Sequence, residues 1–97
     1  MRAVKRLFNK YNKGAHGFKF RNFWVKLGIQ TSHPKKLYNI LKAIPKNSYV
    51  PVDRIAHNSG QLINSVIFWC DLLVQKKVLS EGPEHIYKRN VGLIGED

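Results

Sequence analysis

The first carboxylate in this sequence is Asp53, and every charged side chain before it is a cation. Those cations are Arg2, Lys5, Arg6, Lys10, Lys13, Lys19, Arg21, Lys26, Lys35, Lys36, Lys42 and Lys46. A half-chain with no acid cannot form ion pairs within itself, and like charges at this density oppose compaction through self-repulsion. Residues 53–97 hold five basic and six acidic groups, so the whole chain carries +11 with a pI near 10.1. Lysine used only as a solvated surface residue would be scattered over both halves with glutamate between. The segregation instead predicts an external polyanion, and nucleic acid is the expected partner.

At 97 residues the chain has room for one domain with an arm or a tail. Apolar residues make up 43%, enough for a core, and no run approaches the roughly eighteen consecutive apolar residues of a membrane span. The lone Cys70 closes no intramolecular disulfide and builds no Cys-based zinc site, which fits a reducing compartment. The N-terminal segment lacks the apolar centre of a secretory signal. It is basic and acid-free like a mitochondrial transit peptide, yet contains no serine before Ser32, and it is expected to be retained.

Along the chain, Ala3, Val4, Leu7, Phe8 and Tyr11 share one helical face over residues 2–12, and Gly14 ends that helix. Residues 13–22, with two glycines and three basic side chains, read as an extended arm, followed by a short segment bearing Phe23 and Trp24. Thr31 or Ser32 caps a helix with Pro34 in its first turn. Leu37, Tyr38, Ile40, Leu41 and Ile44 form its apolar face, and Pro45 stops it. Tyr49-Val50-Pro51 reads as a short extended piece, and Pro51 or Asp53 opens a second helix burying Ile55 and Ala56. His57-Asn58-Ser59-Gly60 reads as a turn. Leu62, Val66, Trp69, Cys70 and Leu73 make one stripe of a third helix, with Lys76 and Lys77 in its last turn, where cations oppose the negative helix end. Val78-Leu79 starts a strand, Glu81-Gly82-Pro83-Glu84 is the hairpin turn, Ile86-Tyr87 is the return strand, Lys88-Arg89-Asn90 leave it, and residues 91–97 read as a frayed tail.

This order predicts an α+β fold: a winged helix, that is, a helix-turn-helix with a C-terminal β-hairpin. It is preceded by a basic N-terminal helix and arm, with the arm at 1–22, the domain at 23–90 and the tail at 91–97. The hairpin is needed because three short helices alone leave the stripe of the third half covered.

The basic half is interleaved with Phe8, Tyr11, Phe18, Phe20, Phe23 and Trp24. Cations suit phosphates, and flat side chains suit unpaired bases. Phe23 and Trp24, directly before the domain, are read as core, while for Phe18 and Phe20 core and partner contact stand level. The third helix has no Arg or Lys before Lys76, whereas Arg is the commonest reader of guanine in the major groove. Gln61 and Asn64 alone are a thin footprint for a DNA reader and are more simply surface residues. His16, His33, His57 and His85 share no metal-ligand spacing, and Cys70 reads as a small core residue. No Gly-rich phosphate loop is present. The expectation is a protein without catalytic residues, metal or other cofactor.

Residues 45–90 resemble a known family, the winged-helix protein numbered twenty-five of the small ribosomal subunit of eukaryotes and archaea. The resemblance rests on Pro45, on Tyr49-Val50-Pro51, on Gly60 followed by Leu62, and on Leu73 and Lys76 before Val78-Leu79. It rests above all on His85, Ile86-Tyr87 and Arg89-Asn90 as a closing strand. The chain departs from the family in having Asn64 and Ser65 where an Arg usually follows the turn glycine, in a shorter wing, and in an arm without Lys runs. The resemblance implies a ribosomal protein contacting rRNA, preceded by a basic arm as residues 1–22 are here.

The combined expectation is a structural RNA-binding subunit of a ribonucleoprotein particle, placed on the cytoplasmic ribosome, with the mitochondrial matrix as the alternative location. The expected contacts are the twelve cations before Asp53, with Lys88 and Arg89 added. Partners would be rRNA and neighbouring proteins of the particle, with no membrane and no small-molecule substrate. A DNA-binding winged-helix regulator is the main alternative, and a protein-interaction winged helix a further one.

Overall fold

A computed structural model describes residues 18–96 of the chain. The described residues form an α+β structure of four helices and a small three-stranded antiparallel sheet. Helix α1 covers residues 18–26, α2 Pro34–Lys42, α3 Val52–Ser59 and α4 Ile63–Gln75. The strands are β1 (Val50–Pro51), β2 (Leu79–Gly82) and β3 (Ile86–Arg89). The chain divides into two compact units, residues 1–35 and 36–97. The helix read at 2–12 and the first part of the expected arm lie outside the described residues.

In the first unit, residues 18–22 are helical rather than extended, and the expected boundary between 22 and 23 falls inside α1. The helix is explained by what ends it. The Gly28 N–H donates to the Val25 carbonyl at 3.0 Å and the Ile29 N–H to the Trp24 carbonyl at 2.9 Å, with Gly28 at φ +76°. This is a Schellman termination, whose left-handed residue carries no steric penalty as glycine. Its usual apolar clasp is present in the buried pair Trp24 and Ile29. The Trp24 indole N–H donates to the Pro34 carbonyl at 2.9 Å, which satisfies the polar end of this buried ring. Phe23 packs edge-on against Trp24 and is half-buried, so of the pair read as core only Trp24 is fully enclosed.

Helix α2 begins where Pro34 stands, its missing N–H being one the first turn leaves unpaired anyway. The Thr31 hydroxyl oxygen accepts the His33 N–H at 3.1 Å, one residue ahead of the helix. Leu37, Tyr38, Ile40, Leu41 and Ile44 are all buried, as their spacing predicts. Strand β1 pairs with β3 through Val50↔Tyr87 and Pro51↔Ile86, and β2 pairs with β3 from Leu79↔Arg89 to Gly82↔Ile86, giving the order β1-β3-β2.

Helix α3 runs on through His57, Asn58 and Ser59, which composition alone marks as a turn. A second Schellman closure delays the stop. Gly60, at φ +69°, donates to the Ala56 and His57 carbonyls, and Gln61 N–H reaches Ala56 at 3.1 Å. Val52 and Ile55 are buried, while Ala56 is only half so. In α4 the buried positions are Val66, Cys70 and Leu73; Trp69 is half-buried. Leu62, read as the first member of that stripe, is instead the N-cap residue and 79% exposed, because the chain enters the helix in extended conformation there. Lys76 and Lys77 lie beyond the last turn. Lys77 takes the left-handed position (φ +63°) of a third Schellman closure, with Val78 N–H on the Leu73 carbonyl at 2.9 Å.

The hairpin differs from expectation in register. Glu81 and Gly82 belong to β2, the turn is Pro83–His85, and Lys88 and Arg89 belong to β3. Glu84 and His85 both adopt left-handed conformations (φ +59° and +58°), which delivers the His85 carbonyl to the Val52 N–H at the start of α3, 3.0 Å away. Residues 91–96 are tied down rather than frayed. The Ile94 N–H donates to the Tyr38 hydroxyl oxygen at 3.0 Å, and Glu96 accepts from the Leu93 N–H and the Arg89 guanidinium, both at 3.1 Å.

Candidate nucleic-acid interface

Of the cations expected to contact a polyanion, Arg2, Lys5, Arg6, Lys10 and Lys13 lie outside the described residues. The others separate by position. On α1, Lys19, Arg21 and Lys26 are exposed, and so are Phe18 (62%) and Val25 between them on the outer face. An open groove of about 480 Å³ borders this face, lined by Arg21, Val25, Gln30, Thr31 and Ser32 over Trp24 and Ile29. Trp24 itself is fully covered, so it offers no surface for stacking.

On α2, Lys35, Asn39 and Lys42 follow i, i+4, i+7 spacing and are all exposed, with Lys36 beside them and Lys46 just beyond the helix. A second groove, about 440 Å³, runs between α2 and α3 and is lined by Asn39, Lys42, Ala43, Asn58 and Ser59. Arg54 and His57 are exposed on the same outer ridge of α3 as Asn58, at i−4 and i−1 to it. The groove contains no acid. Asn39, Asn58, Ser59 and Arg54 were not among the expected contact residues. The fold brings Asn39, Asn58 and Ser59 into one groove with Lys42.

Arg89 has to be removed from the contact set. It is 8% exposed, its Nε–H donates to the Ile44 carbonyl at 2.8 Å, and a terminal nitrogen donates to the Val91 carbonyl at 2.8 Å and to Glu96 at 3.1 Å. Its backbone N–H reaches the Pro45 carbonyl at 3.0 Å. The guanidinium therefore joins the end of α2, β3 and the tail, with little left to meet a phosphate. Lys88 is half-buried with its ammonium 5.1 Å from the centre of the Tyr49 ring, a cation–π contact that leaves the charge near the surface.

The outer face of α4 is of another kind. Asn64, Phe68, Asp71 and Gln75 point outward, Phe68 is 64% exposed, and Leu62 and Ile63 are exposed at the helix start. Between Ile55 and Gln75 the sole formal charge is Asp71. Gln61 is engaged internally, its amide N–H donating to the Lys36 carbonyl at 2.8 Å. On the inner face, burial pushes the Cys70 thiol up to about 12, with Asp71 and Glu81 adding to the effect, so the thiolate is scarce at neutral pH. Burial likewise raises the Tyr87 phenol. Among the described residues no three His, Cys, Asp or Glu side chains gather as metal ligands would, and no helix is long and apolar enough to cross a membrane.

The arrangement is thus an α+β protein with exposed cations on α1 and α2, an acid-free polar groove lined from α2 and α3, and an outer face on α4 that carries no cation and exposes Phe68. Comparison of the chain with models of known protein families and with curated protein sequences gives no match.

Proposed function

We propose that this chain is a structural RNA-binding protein of a ribonucleoprotein particle, without catalytic activity or cofactor, and that residues 34–89 fold as a winged helix. The order helix, strand, helix, tight turn, helix and hairpin supports the fold assignment. The observation that carries the function is the separation of charge. The described cations before Asp53 all stand exposed on α1, α2 and just past it, and α4, which reads bases in DNA-binding helix-turn-helix proteins, presents Asn64, Phe68, Asp71 and Gln75. That outer face cannot neutralise a major groove. The cationic helices can neutralise a folded RNA, releasing one set of counterions per phosphate contacted. The small ribosomal subunit in the cytoplasm is the particle favoured by the resemblance over residues 45–90, and neighbouring proteins of that particle would be further partners.

The test is a titration of the full chain against a structured RNA and a duplex DNA at two salt concentrations. Replacing Lys35, Lys36, Lys42 and Lys46 with Gln should weaken RNA binding and flatten its salt dependence, and neutralising Arg2, Lys5, Arg6 and Lys10 should do the same. Replacing Asn64 with Ala should leave both unchanged. A specific DNA duplex lost by the Asn64 variant and kept by the lysine variant would replace this reading with that of a DNA-binding regulator.

A further inference from the structure

The groove between α2 and α3 holds more than a phosphate track needs. Charge alone serves for phosphates, and Lys35, Lys36 and Lys46 supply it on open surface. In the groove Lys42 is joined by Asn39 and Asn58, whose carboxamides take part in no hydrogen bond or ion pair among the described residues. Ser59 also lines it, with its hydroxyl turned to the Ala56 carbonyl at 3.4 Å.

Its electrostatics are mixed. Lys42 is the last residue of α2, and Ser59 is the last residue of α3, so the groove lies at the carbonyl ends of both helices. Those ends carry partial negative charge, which disfavours an anion deep in the groove and favours a neutral group bringing its own N–H donors. A carboxamide offers a donor and an acceptor side by side. A flat neutral group with donors and acceptors along its edges is a nucleobase, and Ala43 offers a methyl surface to its face. The volume, about 440 Å³, is in the range of small-ligand sites.

Two carboxamides distinguish adenine from the pyrimidines. Adenine carries one amino group between two ring acceptors, N1 and N7, so each amino hydrogen with its neighbouring acceptor can meet one carboxamide. Cytosine has one such edge, and uracil has a single N–H to share between its two. We infer that the groove formed by Asn39, Lys42, Ala43, Asn58 and Ser59 takes an unpaired adenine of the bound RNA, its amino group between the two asparagines and its phosphate at Lys42. This rests on the RNA reading above and gives that reading a sequence preference.

The experiment compares binding of the full chain to oligo(rA), oligo(rC) and oligo(rU) of equal length by fluorescence anisotropy across a salt series. Equal phosphate number makes the counterion contribution common to all three, so differences report the bases. Oligo(rA) should bind about tenfold more tightly, the discrimination of roughly one bidentate pair. Asn39→Ala and Asn58→Ala should each erode that preference while leaving the salt slope unchanged. Lys42→Gln should weaken all three oligomers and lower the slope. Both asparagines are exposed, and unchanged thermal melting of the variants verifies that the fold is intact. Equal affinity for the three oligomers, or a preference that survives both asparagine changes, overturns the adenine site and leaves salt-dependent binding of structured RNA standing. Absence of binding to every RNA removes both readings.

Discussion

The outer faces of α2 and α4 are built by the same rule and end with opposite chemistry. Each helix buries one stripe, Leu37, Tyr38, Ile40 and Leu41 on α2 and Val66, Cys70 and Leu73 on α4. What is left outside on α2 is Lys35, Lys36, Asn39 and Lys42; on α4 it is Asn64, Phe68, Asp71 and Gln75. A helix of a lone soluble domain normally turns charge to water. Here α2 does so to excess, and α4 exposes an aromatic ring with one carboxylate. The difference teaches that in this chain amphipathicity locates the core, while the composition of the solvent face varies independently of it and carries the proposed RNA contact.

The comparison is most exposed to failure on the cationic side. Neutralising Lys35, Lys36, Lys42 and Lys46 together should lower the affinity for structured RNA about a hundredfold at low salt, with the salt slope reduced by roughly 0.7–0.9 for each cation that met a phosphate. A loss of affinity with an unchanged slope would mean that these lysines act through the fold and not through phosphates.

Arg89 separates an interior cation from the surface ones. Arg89→Ala removes the side-chain donor to the Ile44 and Val91 carbonyls and one of the two donors to Glu96. It should cost about 2 kcal/mol in urea unfolding while leaving the salt slope of the remaining folded protein unchanged. A slope reduced with stability intact would return Arg89 to the contact set.

A smaller change lies at the end of α4. Lys77 occupies a left-handed position at φ +63°, where an L side chain costs roughly 1 kcal/mol and glycine does not. Lys77→Gly should raise stability by up to about 1 kcal/mol, read from the denaturation midpoint. It also tests whether Lys77 contributes to binding, since the variant removes a cation at the α4 end of the molecule; affinity should change far less than in the α2 variants.

On α4, Phe68→Ser should shift stability by no more than about 0.5 kcal/mol, as expected for a surface position, and leave RNA affinity untouched. Weakened RNA binding in this variant would abolish the contrast between the two faces. The least effect concerns the tail. The Leu93 N–H and then the Arg89 guanidinium hold the Glu96 carboxyl below its ordinary value. A depressed carboxylate stabilises the native state above its unfolded pKa and loses that contribution as pH falls through the folded one. Docking of residues 91–96, followed by the Ile94 amide resonance, should therefore weaken only in acid, below the usual carboxylate range. Glu96→Gln should remove that transition.

The long-period stripes of α2 and α4 were legible because burial repeats every turn, and the stop at Pro45 because proline lacks the N–H a helix needs. Helix α1 carries a weaker signal: Phe20, Trp24 and Leu27 recur at helical spacing before Gly28, but the glycines and cations just upstream have the composition of an extended arm. The extent of α3 was missed for a related reason. His57, Asn58 and Ser59 are turn formers by propensity, and the closure at Gly60 overrides propensity by pairing their neighbours' carbonyls.

The asymmetry of charge belongs to the sequence by itself. No fold can pair these cations within their own half of the chain, and six acids cannot neutralise 17 basic side chains, so an excess of positive charge follows from composition. Which of those cations stay exposed depends on tertiary structure. Arg89 and Lys88 are adjacent in sequence, and Arg89 turns inward because β3 runs beside the segment that follows α2, where the Ile44 carbonyl, 45 positions away, accepts from its Nε–H and the Pro45 carbonyl from its backbone N–H. Asn39 and Asn58 carry no sequence mark of a site. They become one when α2 and α3, each seating its apolar stripe in the common core, leave their polar edges facing across a groove.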